Sequence, residues 1–500
     1  MRSRKALRNT ITALGYEFVA LICGLILPRL ILTNFGSSYN GITSSIIQFL
    51  NCIALLRAGV AGVTRAALYK PLAENDTTQI NAIVNATQNF MKRIAFIFVA
   101  SLLVFACVYP FLVDEFDWYF SFSLVLILGI SSFAQYYFGI TYQLLLEADQ
   151  NQWVFSMVRI LTAIMNVIIA AILIKAGAGI HLVKLGSALA FSINPIFINI
   201  YANKHYKLNK SVEPDNTSIK QRWDAFGHSV AAFVNNNTDI MVLTVFANIK
   251  EVSVYTVYNF VIANLKMLIE TFSSSFGVAF GNMLANNEKK TIQDNLKLFE
   301  LILFGICSVV YTTAITMIVP FAKLYTHGVV DVEYARPIFA TIITIASCFA
   351  CYRIPYQAII ESAGHFKQTR NGAFVEAIMN ITISIVMVIK FGLVGVAVGT
   401  LVATVFRTCQ YAIYLSKHIV HRPISIFAGH VVLNAIIMTM VCMFGKSVLV
   451  FNDNTVLLWI EKTVIIFICT TVVSFLLHFL FYRNDMILLY KKIRNTCSRS

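Results

Sequence analysis

Six cationic side chains stand in stretches of this sequence that are otherwise too apolar to be solvated: Arg29, Arg57, Arg65, Arg159, Lys266 and Arg353. A charge in hydrocarbon is costly unless it faces protein or water, so each marks a candidate functional position. Arginine offers a planar fork of donors that matches phosphate oxygens. If several of these groups face one cavity they suit an anionic head group, and a diphosphate linker is a sensible ligand. Arg29, Arg57 and Arg353 carry this reading best. Arg65 and Arg159 fall near expected helix ends, where a long side chain can snorkel back to the interface.

Acidic groups in the same stretches are Glu17, Asp239, Glu270, Glu376 and Glu461. A cation-coupled carrier needs a carboxylate that exchanges a proton or sodium ion. Lys266 precedes Glu270 by four residues on one helical face, which favours a neutralising pair. Asp239 follows Asn235, Asn236 and Asn237, a polar cluster that could hold a cation or sugar hydroxyls, or simply join helices by hydrogen bonds. The cavity candidates are therefore Arg29, Arg57, Arg353, Lys266, Asn237 and Asp239. No catalytic or metal-ligating set is expected: the chain has no Walker motif, no H-E-x-x-H and no nucleophile elbow. Cys348 and Cys351 form a C-x-x-C, read as packing within a helix.

Two motifs recur 214 residues apart. Ala163-Ile164-Met165-Asn166 returns as Ala377-Ile378-Met379-Asn380, and Tyr142-Gln143 with Leu146 and Glu147 returns as Tyr356-Gln357 with Ile360 and Glu361. A shared offset across separate motifs reads as a duplicated half-protein. Weaker matches extend it, including Lys175 and Gly177 with Lys390 and Gly392. Gln143 and Glu147, like Gln357 and Glu361, are one helical turn apart. These four are expected to serve a gate at one end of each half.

The elements that must position these residues follow from composition. Hydrophobic residues make up 58% of the chain and charged residues 13%, with a mean hydropathy of +0.73, so most of it belongs in lipid. Stretches long enough to cross the hydrocarbon fall near residues 11–34, 41–69, 93–113, 118–146, 153–175, 179–201, 223–247, 252–283, 297–322, 335–361, 367–390, 393–417, 425–450 and 456–482. The expected fold is an all-α polytopic membrane protein of about fourteen transmembrane helices. Its layout is a basic N-terminus (1–10), a six-helix lobe (11–202), a linker (203–222), a second six-helix lobe (223–420), two added helices (421–483) and a basic tail (484–500). Six being even, both lobes enter the membrane in the same direction as a parallel repeat.

Basic residues concentrate at the N-terminus, in every second loop and in the tail Lys491, Lys492 and Arg494. The positive-inside rule then places both termini in the cytoplasm. It also accounts for the net charge of +15 by anionic lipid and topology, without nucleic acid. The weakest inside loop is Glu147 to Gln152, which has no Lys or Arg of its own.

Three segments carry a family resemblance. They are Asn237-Thr238-Asp239 through Phe246 to Val254-Tyr255; Asn380 through Phe391-Gly392-Leu393 and Gly395 to Gly399-Thr400; and Pro28-Arg29 with Phe35-Gly36 and Gly59 to Arg65. Over residues 10 to 420 the chain resembles polysaccharide (O-antigen or capsule repeat-unit) flippases of the multidrug, oligosaccharidyl-lipid and polysaccharide exporter superfamily. The resemblance implies two lobes around a central cavity that translocate an undecaprenyl-diphosphate-linked oligosaccharide across a bacterial inner membrane by alternating access. It implies a proton or sodium gradient as the energy source, no cofactor, and a polysaccharide polymerase and chain-length proteins as partners. In the lipid II flippase branch two last helices help form a lipid groove. The competing expectations are a cation-coupled multidrug or metabolite exporter, which would favour acidic cavity walls, and a membrane-embedded polymerase or ligase, which would need a larger external loop.

Overall fold

The computed structural model describes residues 2–53, 60–215, 217, 237–286, 289–448 and 455–497. All of its regular structure is helical among these residues. Twelve helices or joined helix pairs are long and apolar enough to cross a membrane. They coincide with twelve of the fourteen expected spans; the other two, 41–69 and 223–247, include residues 54–59 and 223–236, which lie outside the described set. The chain is a multi-pass membrane protein. It divides into two compact units, Met1–Ser253 and Val254–Ser500.

The first unit contains α1 (Arg2–Phe35), α2 (Ser37–Ile53), α3 (Val60–Glu74), α4 (Thr77–Val108), α5 (Trp118–Ala134), α6 (Ile140–Ala148), α7 (Gln152–Lys175), α8 (Ile180–Tyr206), α9 (Asn237–Phe246) and the first turn of α10 (Ile249–Ala285). Local sequence sets the helix ends. Asp76 caps α4 by accepting from the Gln79 amide at 3.0 Å, which satisfies one of the donors a helix start leaves open. Helix α1 packs along α7, α7 along α8, and α5 along α8. A π-helical turn, Gln135–Gly139, joins α5 to α6. It is where Pro195 of α8 comes closest: a Cβ on Gly139 would sit 2.6 Å from the Pro195 Cβ. Only glycine permits that approach. Helix α2 is tied to α9 and α10 by Ser45 and Thr244 hydroxyls 2.8 Å apart and by Asn40 Nδ2 donating to Ser253 Oγ at 2.9 Å.

The second unit continues α10 and adds α11 (Lys289–Tyr325), α12 (Pro337–Tyr352), α13 (Ile354–Ser362), α14 (Phe366–Phe391), α15 (Leu393–His418), α16 (Ser425–Val448), α17 (Val456–Phe481) and α18 (Arg483–Cys497). Its main core gathers Phe299, Phe304, Tyr311, Tyr352 and Tyr356, each under 5% exposed, from α11, α12 and α13. Met317, Leu433, Ile437, Val441 and Ile466 form a second apolar seam that fastens the added helices α16 and α17 to α11.

The duplication is visible residue by residue. Tyr142 and Leu146 on α6 are buried as Tyr356 and Ile360 are on α13. Gly177 between α7 and α8 and Gly392 between α14 and α15 both have positive φ, 77° and 53°. The turn after each copied motif closes the same way, with Asn151 N donating to Leu146 O at 2.8 Å and His365 N to Ile360 O at 3.1 Å. The left-handed position in those turns is Gly364 (φ 73°) in the second copy but Gln150 (φ 57°) in the first.

Candidate functional site

That strained glutamine is held from α1. Asn9 Nδ2 donates to the Gln150 carbonyl at 2.8 Å, and its Oδ1 accepts from the Trp153 amide at 3.0 Å. Lys5 Nζ lies 3.7 Å from the Asp149 carboxylate, and the Arg8 guanidinium sits 3.9 Å over the Trp153 ring. The loop that lacks basic residues of its own is thus supplied with them by the N-terminal helix, which places the N-terminus and the α6–α7 turn at the same end of the unit.

Above this turn the first unit has an open cavity of about 410 Å³ lined from α1, α2, α5, the π-turn, α6, α7 and α8, within the size range of small-molecule sites. Its walls carry amides from Asn51, Gln135, Gln143 and Asn194, and hydroxyls from Ser131, Ser132 and Thr162. Aromatic faces come from Tyr16, Tyr136, Phe155 and Phe191. Arg159 is the one formal charge among the lining residues, and no carboxylate is among them.

Arg159 is held against α1. Its Nη2 donates to the Tyr16 hydroxyl at 2.6 Å, with the guanidinium 3.8 Å over the Tyr16 ring and 5.0 Å from Phe155. Cation–π contacts on two sides hold the fork in place without neutralising it. Asn194 Oδ1 is buried and has no protein partner, and one turn deeper than Thr162 so is Asn166 Oδ1. In the second copy the equivalent Asn380 Oδ1 accepts from Ser384 Oγ at 3.1 Å, but the first copy has Ala170 where Ser384 stands. Asn194 lines the cavity, and a buried acceptor without a partner there is one that a ligand or water must satisfy.

The repeated Gln–Glu pairs differ between the copies. Gln143 lines the cavity, donates to Glu147 Oε1 at 2.8 Å, and accepts from Gln135 Nε2 at 3.1 Å. Arg65 closes the chain on Glu147 Oε2 at 3.1 Å. In the second unit Gln357 donates to Glu361 at 2.7 Å with Glu361 exposed.

The other sequence candidates are dispersed. Arg29 is exposed on α1, one residue past Pro28, and Arg57 lies outside the described residues. Lys266 and Glu270 are 3.7 Å apart as an i,i+4 pair. Asn237 accepts from Gln48 Nε2 at 2.5 Å and so joins α9 to α2; Asp239, one residue beyond Thr238, is half-buried on α9. Arg353 is paired: its Nη1 donates to Glu376 at 2.9 Å, and Arg407 Nε approaches the same carboxylate at 3.6 Å. Two guanidiniums meet one buried carboxylate, with Arg407 further held by the Thr369 carbonyl and the Tyr411 hydroxyl, both at 2.8 Å.

Sequence reasoning passed over Tyr16 and Gln135, which carry no charge, and a buried lock on α11. There Glu300, fully buried, takes Arg422 Nη1 at 2.6 Å, Arg422 Nη2, and the Tyr356 hydroxyl at 2.6 Å. Glu300 stands in an expected span, so its charge was the available signal. Cys348 and Cys351 are both buried free thiols on α12.

No family model and no curated protein matches the chain. Among solved structures it is similar to the lipid II flippase MurJ in an inward closed conformation, with a TM-score of 0.72 at 16% identity over 95% of this chain and 100% of that one. It is also similar to an inward-facing multidrug resistance MATE family transporter of the MOP superfamily, with a TM-score of 0.64 at 13% identity over 81% of this chain and 98% of that one. The Vibrio cholerae MATE transporter VcmN follows at a TM-score of 0.54 and 14% identity, over 84% and 98% of the two chains. These likenesses show a fold shared with flippases and exporters.

Proposed function

We propose that this protein is a transporter that flips a lipid-diphosphate-linked oligosaccharide from the cytoplasmic to the outer leaflet by alternating access, serving cell-surface polysaccharide synthesis. The observation that carries the proposal is the polar cavity of the first unit with Arg159 as its one charge. Amides and hydroxyls match sugar hydroxyls, aromatic faces match pyranose rings, and an un-neutralised guanidinium matches a phosphate oxygen. The fold it shares with a lipid II flippase supports a lipid-linked cargo.

In this reading Arg159 takes the leading role expected of Arg29 and Arg57, and Arg353, paired with Glu376, is a secondary contact. The setting is a bacterial inner membrane with both termini cytoplasmic, a proton or sodium gradient supplies the work, and a polymerase with its chain-length proteins receives the product. The fold shared with a flippase and with MATE transporters supports a carrier over a polymerase or ligase. The guanidinium of Arg159 among the lining residues favours an anionic cargo over an organic cation.

The test is reconstitution in vesicles with two cargoes, a lipid-diphosphate-linked oligosaccharide and an organic cation, each with and without a proton or sodium gradient. Movement of the lipid-linked sugar alone supports the proposal. Movement of the cation alone assigns the protein to the exporters.

A further inference from the structure

The two copies of the repeat fill one pair of positions differently. Helices α8 and α15 start at Ile180 and Leu393, 213 residues apart, and Gly186 and Ala190 recur as Gly399 and Ala403 at that offset. Asn194 of α8 therefore corresponds to Arg407 of α15. On the preceding helices the 214-residue offset pairs Thr162 of α7 with Glu376 of α14, and Arg159 with Ala373. Thr162, Asn194, Glu376 and Arg407 are each 6% exposed or less, so both positions are buried in both copies. In the second copy they meet as an ion pair, with Arg407 Nε 3.6 Å from the Glu376 carboxylate. In the first they carry a hydroxyl and an amide, and both line the open cavity.

The polar atoms left there are acceptors that lack donors. Thr162 Oγ1 gives its proton to the Arg159 carbonyl at 3.2 Å, which leaves its lone pairs to accept. Asn194 Oδ1 is buried with no protein partner. An unpaired buried acceptor is costly, so an occupant of this part of the cavity must bring donors. It must also bring no charge, because neither Thr162 nor Asn194 offers a counter-ion and Arg159 is the one formal charge among the lining residues. A sugar hydroxyl meets both conditions. An ionised carboxylate has no donor, and an ammonium group would stand uncompensated near a guanidinium. Phe191, three residues before Asn194 and on the same side of α8, lines the cavity as well and offers a ring to the apolar face of a pyranose.

We propose that Thr162 and Asn194 form a sugar subsite that takes an uncharged sugar through its hydroxyl donors, beside the phosphate that Arg159 holds from the neighbouring turn of α7. The sugar directly linked to the diphosphate is then the one the protein reads. Plain or N-acylated hexoses satisfy the two acceptors, whereas uronic acids and sugars with a free amine do not. The second copy shows the same positions closed: Glu376 and Arg407 satisfy each other, so no ligand is needed to complete them.

This inference rests on the sugar-bearing anionic cargo proposed above, and its test separates the two. Full-length protein in lipid discs is titrated calorimetrically with inorganic pyrophosphate, glucose 1-diphosphate, glucuronic acid 1-diphosphate and methyl glucoside. The wild type is expected to bind glucose 1-diphosphate about tenfold more tightly than pyrophosphate, and the glucuronic acid compound no more tightly than pyrophosphate. In Asn194→Leu, a replacement of similar volume, the glucose-over-pyrophosphate ratio is expected to fall to near one. Thr162→Glu combined with Asn194→Arg installs the ion pair of the second copy; it is expected to stay folded by helical circular dichroism and to lose the same preference. A folded Asn194→Leu or double variant that keeps the wild-type ratio overturns the subsite. So does a wild-type ratio of one, which would mean that water satisfies Asn194, and so does preference for the glucuronic acid compound. If pyrophosphate does not bind while methyl glucoside does, and Asn194→Leu abolishes that binding, the sugar subsite stands and the anionic anchor at Arg159 fails.

Discussion

Arg159 and Tyr16 face each other across the α1–α7 seam, with a guanidinium-to-hydroxyl hydrogen bond of 2.6 Å and the same guanidinium 3.8 Å over the phenol ring. The tyrosine orients the arginine and leaves its charge intact. Replacing Arg159 by Ala is expected to cost about 1.5–3 kcal/mol of head-group binding, or roughly 10- to 150-fold in affinity. Lys at this position is expected to recover part of it, because the charge returns without the fork. Tyr16→Phe is expected to cost less, about 0.5–1.5 kcal/mol. Isothermal titration with pyrophosphate, or with a soluble diphosphate-sugar, ranks the three.

A second expectation concerns the paired turns. Gln150 occupies in the first copy the left-handed position that Gly364 occupies in the second. Left-handed backbone costs a residue with a Cβ about 1–2 kcal/mol. Gln150→Gly is therefore expected to leave the apparent melting temperature unchanged or raise it, and Gly364→Gln to lower it. A fall with Gln150→Gly would mean that the side chain itself, rather than Asn9 on the backbone carbonyl, holds the turn.

The lock of Glu300, Arg422 and Tyr356 is expected to behave as a buried ion pair. Removing one partner strands a charge and costs about 3–5 kcal/mol, whereas replacing both with apolar residues of similar size can be neutral. Thermal unfolding of Glu300→Leu, Arg422→Met and the double variant forms the cycle. The double variant is expected to be more stable than either single one, and strict additivity would show that the pair is not coupled.

Gly139→Ala is expected to act on the site through the fold. The new methyl falls on Pro195, and overpacking of this kind typically costs about 1–3 kcal/mol. The π-turn must shift, and Gln135 with it. Pyrophosphate binding in the cavity should then weaken even where the protein remains folded, as monitored by size-exclusion elution and helical circular dichroism.

Much of the fold was legible because lipid leaves a chain few options. Runs of apolar residues became helices at the expected places, and the 214-residue offset of Tyr142-Gln143 to Tyr356-Gln357 became two helices buried alike. The site was legible only in part. Arg159 reads in sequence as a residue near a helix end, and nothing in its neighbours announces that Tyr16, more than a hundred residues earlier, will pin it inward. Gln135 and Gln143 are eight apart and fall on one broad helical face, but neither carries a charge to single it out, and the π-turn between them beside Pro195 has no signal in the sequence. Arg353 looked available as a lone cation because Glu376 and Arg407 reach it only through tertiary packing. The pairing of each charge is set by tertiary neighbours such as Tyr16 and Glu376, which the local sequence does not announce.

The account turns on Arg159 as the cargo's anchor, and the most direct measurement is the flipping rate of a lipid-diphosphate-linked oligosaccharide in vesicles carrying equal amounts of folded wild type, Arg159→Ala and Arg159→Lys. The expected result is loss of at least about tenfold for the alanine variant and an intermediate rate for lysine. Flipping by folded Arg159→Ala at the wild-type rate would contradict the account.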